Sequence, residues 1–238
     1  MVESGLSLFF NYVRDFLCGD LGIGSRVELL EAISSHRIPG LGSCVHDFTE
    51  DTLSELTRIS AGRWLVVKAH AARNQCLTEA IKKSELMTAY CIRDPRDCIL
   101  SGLDSRRRHL ASGAAVFVDF TDWDTAIAAM QWNCETALDW MSSGMARIVR
   151  YDRQLTDPIG LLSEISEDLG LGHPTRFLER VIEHHNAHKN IQFNTGKLTR
   201  YRQEMDEAQA RRCKEELGDF MRAMGYEVCP PMAASQIS

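Results

Sequence analysis

The sequence predicts an α/β protein in which helices flank a parallel sheet. Two short apolar runs, residues 63–70 and 86–93, have the length and continuity of buried parallel strands, and a third covers 146–151. Apolar residues at helical spacing fill the intervals between these runs. All three runs end in polar residues. Because open α/β sheets bind ligands at the carboxyl ends of their strands, we expect the binding site there.

Four segments have the apolar periodicity of amphipathic helices: Leu6–Leu17, Trp123–Met141, Ile159–Leu169 and Asp206–Met224. The third follows Asp157, which can cap a helix, and Pro158, which suits a first helical position. The fourth is followed by Gly225, a residue typical of helix C-termini. These terminal signals predict where the helices begin and end.

The length and composition fit one globular domain. The chain has 238 residues, of which 44% are hydrophobic and 25% charged. We expect a single domain over residues 1–229 and a disordered tail over 230–238. The net charge of −6 argues against nucleic acid as a partner, although a local basic pocket could still hold one anionic nucleotide. Without an apolar run of membrane-spanning length or a secretion signal, we expect a cytoplasmic protein with no membrane partner.

The eight cysteines are scattered and form no C-x-x-C pair, so we interpret them as reduced thiols. Cys91 and Cys98 are predicted to fill the core. His184 and His188 have the i, i+4 spacing that places two imidazoles on one helical face. With no third ligand in the sequence pattern, an exposed polar helix is the better interpretation, and no metal site is predicted.

The segment Arg93-Asp94-Pro95-Arg96-Asp97 lies where a predicted strand ends and a helix begins. The planar guanidinium of Arg93 can hold a phosphate, and Pro95 suits the turn. Asp97 can interact favourably with the helix N-terminus. The hydroxyl of Ser101, about one helical turn further on, can face the same anion. A capped turn with a surface ion pair explains these residues equally well.

A small-residue turn, Ser4-Gly5-Leu6-Ser7, opens the chain directly before an apolar helix. Such a turn presents backbone N–H groups to an anion, although a plain N-cap at Ser4 explains it about as well. A phosphate-binding loop usually follows a buried strand, but only Met1 to Glu3 precede this turn. Either the sequence starts inside a longer gene product, or the protein manages without that strand.

The segment Tyr90–Ser101 resembles the 3′-phosphate-binding motif of the sulfotransferase family, in which a strand precedes Arg, Asn or Asp, Pro, Lys or Arg, Asp and a later Ser. Further segments resemble other family blocks in the family's order: Glu3–Leu8, Val67–His70, Val149–Leu171, Asn194–Arg202 and Asp206–Tyr226. The resemblance implies a three-layer, P-loop NTPase-like fold with a central parallel sheet, here apparently shortened at the N-terminus and lacking its usual first strand.

The resemblance implies transfer of a sulfuryl group from 3′-phosphoadenylyl sulfate (PAPS) to a hydroxyl or amine, with PAP as the product and no metal. It implies His70 as general base and Lys68 as the cation that neutralises the transferring group. The donor-binding residues that it implies are Ser4, Gly5, Leu6, Ser7 and Leu8 at the 5′-phosphosulfate, Arg93 and Ser101 at the 3′-phosphate, and Tyr151, Thr195, Gly196 and Lys197 near the adenosine and 3′-phosphate.

The acceptor is not specified by the sequence. It could be a small molecule, a glycan or a peptide, and Phe117, Phe120 and Trp123 are candidate residues for its pocket. The sequence also leaves open whether the protein forms a homodimer.

Two departures from the family pattern leave two hypotheses about the function open. Glu3 stands where the family places Lys or Arg, and one unit charge pair at ~4 Å is worth about 4 kcal/mol at an effective dielectric of ~20. Asn194-Thr195 replaces two further cations, for which Lys197 or Arg200 could substitute. The chain is therefore either an active sulfotransferase or a degenerate homologue that keeps a nucleotide-binding or interaction role. A P-loop kinase is disfavoured, because no G-x-x-x-x-G-K-[S/T] sequence is present.

Overall fold

The structure, a computed structural model, describes residues 6–20, 45, 47–60, 65–111, 119–187 and 197–228. Helices dominate these ranges, and two short strands accompany them. The elements in chain order are α1 (Leu6–Asp20), α2 (Glu50–Ser60), α3 (Gln75–Lys82), β1 (Ala89–Ile92), α4 (Pro95–Ala111), α5 (Trp123–Ser143), β2 (Arg147–Arg150), α6 (Tyr151–Thr156), α7 (Pro158–Asp168), α8 (Thr175–Ala187), α9 (Tyr201–Glu204) and α10 (Glu207–Ala223).

Strands β1 and β2 pair in parallel, with Ala89 opposite Arg147 and Ile92 opposite Arg150. They confirm the strands predicted within 86–93 and 146–151, although both are shorter than the apolar runs. The crossover from β1 to β2 runs through α4 and α5, as a parallel connection requires.

The strand predicted over 63–70 differs from the expectation. Its described part, residues 65–70, forms one parallel bridge between Ala69 and Val45. The Val45 N–H donates to the Lys68 carbonyl at 2.8 Å, and the His70 N–H donates to the Val45 carbonyl at 2.9 Å. A single bridged pair is not a ladder, so the sheet within the described residues has two strands, and the larger central sheet stays a prediction.

The described residues fall into two compact units. The first, here called the strand unit, contains 89–111, 119–152 and 197–228. The second, called the helical unit, contains 6–20, 45, 47–60, 65–88 and 153–187. The single domain over 1–229 stays a prediction, and the tail 230–238 lies outside the described residues.

In the strand unit, α4, α5 and α10 pack on one another around an apolar core. The Tyr90 ring of β1 stacks on Trp140 of α5, with ring centroids 6.1 Å apart. The buried side chains of this core include Ile92, Cys98, Ile99, Phe120, Ile127, Met130, Cys134, Leu217 and Met221. This packing fixes the end of β1 and the start of α4, where the candidate site begins.

The predicted helix termini are confirmed where local chemistry determines them. The Asp157 carboxylate accepts a hydrogen bond from the Gly160 N–H at 3.0 Å, and Pro158 is the first residue of α7. Asp206 caps α10 in a reciprocal arrangement with Gln209. Gly225 follows α10 with φ of 74°, a left-handed conformation that glycine adopts without strain.

In the helical unit, α8 packs against both α1 and α7. Phe16 of α1 is fully buried and meets the His173 ring edge-on, with centroids 4.5 Å apart. Asn74 caps α3 and also donates to the Phe48 carbonyl at 2.9 Å. Among the described helices, none combines the length and apolar character needed to cross a membrane.

The described cysteines carry free thiols, and most of them are buried. Cys91 and Cys98 belong to the interior, as predicted. Burial raises the pKa of Cys134 and of Cys213 to about 12, so both thiols stay protonated near neutral pH. These cysteines therefore act as apolar packing residues.

Candidate functional site

The carboxyl edge of the two-stranded sheet brings Arg93 and Tyr151 together. Arg93 directly follows β1 and Tyr151 directly follows β2, and their preceding residues, Ile92 and Arg150, are partners in the ladder. The Arg93 guanidinium carbon lies 4.4 Å from the centre of the Tyr151 ring. This stacking holds the planar guanidinium in one orientation.

Arg93 is also held from the side of α4 and from the late segment of the chain. Its Nη2 lies 3.9 Å from Asp97 Oδ2 and donates to the Lys197 carbonyl at 3.3 Å. The side chain is buried, with an exposed fraction of 6%. An arginine so constrained can bind an anion at little cost in side-chain entropy.

Asp97 and Ser101 continue the same polar face into α4, because they follow Arg93 at i+4 and i+8. Both are almost fully buried. The Asp97 carboxylate accepts from the Thr199 N–H at 2.8 Å and from the Tyr201 N–H at 3.1 Å. Burial raises the pKa of Asp97, while the Arg93 charge and these two amides act in the opposite direction.

The sequence predicted only that Asp97 interacts with the N-terminus of its own helix, and it missed the hydrogen bonds from the Thr199 and Tyr201 amides. The bonds to residues 199 and 201 span more than a hundred positions of sequence. No local pattern could have revealed this role.

Arg96, the second arginine of the motif, is engaged in structural contacts. Its Nε and Nη2 bind the two oxygens of Asp94 at 2.9 and 2.6 Å, and Nη2 also donates to the Glu227 carbonyl at 2.7 Å. Its guanidinium carbon lies 3.6 Å from the centre of the Tyr201 ring. Arg96 therefore joins the start of α4 to α9 and to the segment that follows α10. Arg93 is the better candidate for binding an anion.

Lys197 and Arg200, the two residues that could replace the missing family cations, differ in exposure and in their partners. Lys197 is exposed, and its carbonyl binds Arg93. Arg200 is buried and pairs with Asp104 and Glu204, each at 2.6 Å. Two carboxylates already balance the Arg200 charge, so Arg200 is a poor substitute for the missing family cations. Thr195 and Gly196 lie outside the described residues.

Lys68 and His70 belong to the helical unit, where the bridge to Val45 fixes their backbone. Both side chains are partly buried. Lys68 and His70 flank Ala69, so their side chains leave the same face of an extended segment. Their spacing is compatible with one cation and one base serving the same reaction.

The opening turn is described only from its helical end. Helix α1 begins at Leu6, which fits the predicted turn-to-helix junction. Leu8 is buried in the helical unit. Ser4 and Gly5 lie outside the described residues, and for Leu6 and Ser7 only the backbone is described.

A cavity of about 450 Å³ lies in the strand unit beside α4. Phe120 and Trp123, two of the residues expected near an acceptor, are among its lining residues, whereas Phe117 lies outside the described ranges. Its walls combine Leu100, Leu103 and Leu110 with charged side chains from α4 and α9. The cavity can accommodate a small partly apolar molecule.

No group of three or more metal-ligating side chains is assembled within the described ranges. His184 lies exposed on α8, and His188 lies outside those ranges.

Comparison with protein families matches residues 18–228 to the sulfotransferase domain. The matched region contains Lys68, His70, Arg93, Ser101 and Tyr151, whereas the opening turn at residues 4–8 precedes it. A search of curated proteins finds no match. Because the match covers most of the chain and includes the strand-to-helix junction at Arg93, this protein belongs to the sulfotransferase domain family.

Proposed function

We propose that this protein transfers a sulfuryl group from PAPS to a hydroxyl or amine of an acceptor. The observation that carries the proposal is the arrangement at the carboxyl edge of the sheet. There, Arg93 stacks on Tyr151 and precedes a buried polar face that contains Ser101. Family membership supports the same chemistry.

The residues at this edge fit a phosphate monoester such as the 3′-phosphate of PAPS. Arg93 offers a delocalised cation with a fixed plane, and Ser101 offers a hydroxyl near the start of α4. The N-terminus of α4 adds the positive end of a helix dipole. We assign Arg93 and Ser101 to the 3′-phosphate and Tyr151 to the border between that phosphate and the adenosine.

The proposed chemistry needs a base for the acceptor and a cation for the charge that develops on transfer. The imidazole of His70 removes the proton from the acceptor hydroxyl or amine, since a histidine side chain can exchange a proton near neutral pH. Lys68 stabilises the negative charge between the transferring group and the departing nucleotide. PAPS supplies the sulfuryl group when bound, and PAP leaves.

The experiment that tests the proposal is titration calorimetry with PAP and, separately, with adenosine 5′-phosphate, which lacks the 3′-phosphate. We expect PAP to bind more tightly. Arg93→Ala should weaken PAP binding by about thirtyfold or more, because removing one partner of a buried charge pair costs about 2 kcal/mol or more. Adenosine 5′-phosphate should be affected far less.

Arg212→Ala is the matched control, because Arg212 lies on α10 and pairs with Asp124 and Glu216, neither of which is assigned to the nucleotide. This variant should bind PAP like the unmodified protein. Equal affinities for the two nucleotides in the unmodified, folded protein would refute the assignment of the 3′-phosphate site.

A second candidate function is a catalytically weak homologue that binds the nucleotide. The observation that favours it is Glu3, an anion in place of a cation beside the 5′-phosphosulfate. This alternative predicts PAP binding that depends on Arg93, together with no turnover of PAPS above the rate of a His70→Gln variant.

A further inference from the structure

We propose that Asp97 is a positioning residue that holds the segment 197–201 against Arg93 and so completes the 3′-phosphate site. The inference rests on the proposed function, because it concerns the same nucleotide. The two Asp97 oxygens are divided between two amides, with Oδ2 on Thr199 and Oδ1 on Tyr201. One buried carboxylate therefore fixes two alternate residues of the segment.

The segment 197–201 has a backbone conformation that requires such support. Thr199 has φ of 56°, a left-handed conformation that is unfavourable for a β-branched residue. Its N–H is one of the two donors to Asp97. The hydrogen bond thus stabilises the segment at its most strained residue.

The same carboxylate faces the proposed phosphate ligand. Asp97 Oδ2 lies 3.9 Å from Arg93 Nη2, and that nitrogen also donates to the carbonyl of Lys197 at 3.3 Å. Arg93, Asp97 and the segment 197–201 consequently form one connected unit. A displacement of the segment would move the Lys197 carbonyl away from Arg93 and would loosen the guanidinium.

Arg96 does not replace Asp97 in this role. It reaches the segment through the face of the Tyr201 ring, at 3.6 Å, and a guanidinium has no acceptor for a backbone N–H. Within the described residues, Asp97 is the side chain seen to accept from the Thr199 and Tyr201 amides.

The decisive variant is Asp97→Asn, which keeps the shape of the side chain and removes its charge. Removing a negative charge near Arg93 should by itself strengthen the binding of an anion. The positioning role predicts the opposite sign, because the amide NH₂ cannot accept a hydrogen bond and one backbone N–H loses its partner. The direction of the change in PAP affinity therefore separates the two effects.

We expect Asp97→Asn to raise the Kd for PAP by about tenfold or more, a size set by the loss of a hydrogen bond to a charged group. The Kd for adenosine 5′-phosphate should rise much less. In the nucleotide-free protein, hydrogen exchange at the amides of Thr199 and Tyr201 should become about tenfold faster or more. The exchange measurement needs no nucleotide and remains informative if the variant is inactive.

Asp206→Ala is the control for general destabilisation, because it removes the cap of α10 in the same unit. It should lower the melting temperature without changing the ratio of the two nucleotide affinities. Unchanged exchange at Thr199 and Tyr201 in Asp97→Asn, or tighter PAP binding, would overturn the positioning role. An unmodified protein that binds no PAP would instead refute the proposed function, and with it the part of Asp97 in nucleotide binding.

Discussion

Ser101 and Ser105 are two buried serines that lie one helical turn apart on α4. Only Ser101 is assigned to the 3′-phosphate. The Ser105 hydroxyl accepts a hydrogen bond from Arg108 Nη2 at 3.0 Å, further from the N-terminus of the helix. The pair offers a comparison in which residue type, helix and burial are the same.

Ser101→Ala should raise the Kd for PAP by about tenfold, since a hydrogen bond to a charged group contributes about 1.5–3 kcal/mol. Ser105→Ala should leave that Kd unchanged. Calorimetry on both variants, with circular dichroism to confirm folding, measures the difference. Equal losses in both variants would show that the helix, and not the Ser101 hydroxyl, determines the affinity.

Arg93 and Arg96 show which features of a single residue can be predicted from the sequence. The pattern placed Arg93 at a strand end, which the structure confirms, and its role as a phosphate ligand stays a prediction. The same pattern could not assign Arg96 to Glu227 and Tyr201, because these contacts cross more than a hundred residues. Chemistry that depends on adjacent residues was predictable, whereas long-range partners were not.

At the scale of the elements, α4 depends on a close approach to Phe120. A Cβ atom built on Gly102 would lie 2.4 Å from Phe120 Cδ1, inside the contact distance of two carbon atoms. Phe120 is itself fully buried in the core of the strand unit. Glycine at this position therefore allows α4 to pack against the chain that leads into α5.

Gly102→Ala should destabilise the protein by about 1–2 kcal/mol. Overpacking costs about 1–3 kcal/mol, and the better helix propensity of alanine returns about 1 kcal/mol at most. Urea unfolding measures the change. The double variant Gly102→Ala/Phe120→Leu should recover part of the loss, because the smaller side chain leaves room for the methyl group, and a single variant as stable as the unmodified protein would contradict this packing.

The ion pair between Arg200 and Glu204, at the two ends of α9, is predicted to weaken in acid. Arg200 donates hydrogen bonds to Glu204 and lowers the pKa of this carboxyl below its ordinary 4.5. A lowered pKa in the folded state means that the contribution to stability is complete above about pH 4.5 and is lost as the pH falls through the lowered pKa.

Glu204→Gln should therefore flatten the acid side of the stability profile. Because the Glu204 side chain is exposed, we expect an effect of about 1 kcal/mol or less. Urea unfolding between pH 3 and pH 7 measures it, with Glu215→Gln on the exposed face of α10 as the control. Parallel profiles for the unmodified protein and Glu204→Gln would contradict a role for this ion pair.

Elements with strong terminal signals were the most predictable. Asp157-Pro158 fixed the start of α7, and Gly225 fixed the end of α10, because both signals act within one turn. The run at 63–70 was less predictable, because strand formation depends on partners that the run itself does not reveal. In its described part, only Ala69 pairs, with Val45.

At the scale of the whole molecule, the candidate residues are divided between the two compact units. Arg93, Ser101 and Tyr151 belong to the strand unit, and Lys68 and His70 belong to the helical unit. Arg93 and Ser101 were inferred from one continuous motif and Tyr151 from a second one, and the β1–β2 register places Arg93 beside Tyr151. The roles of Lys68 and His70 were inferred from the family resemblance, because the spacing of a lysine and a histidine does not by itself indicate a reaction.

The measurement that tests the central claim most directly is the formation of PAP from PAPS, with transfer of labelled sulfate to a panel of phenols, amines, glycans and tyrosine peptides. The unmodified protein should form PAP and a sulfated acceptor. His70→Gln should bind PAP normally but react about a hundredfold or more slowly, because general base catalysis contributes at least about that factor. A protein that binds PAP yet forms no sulfated product, or forms it as fast with His70→Gln, would contradict the account.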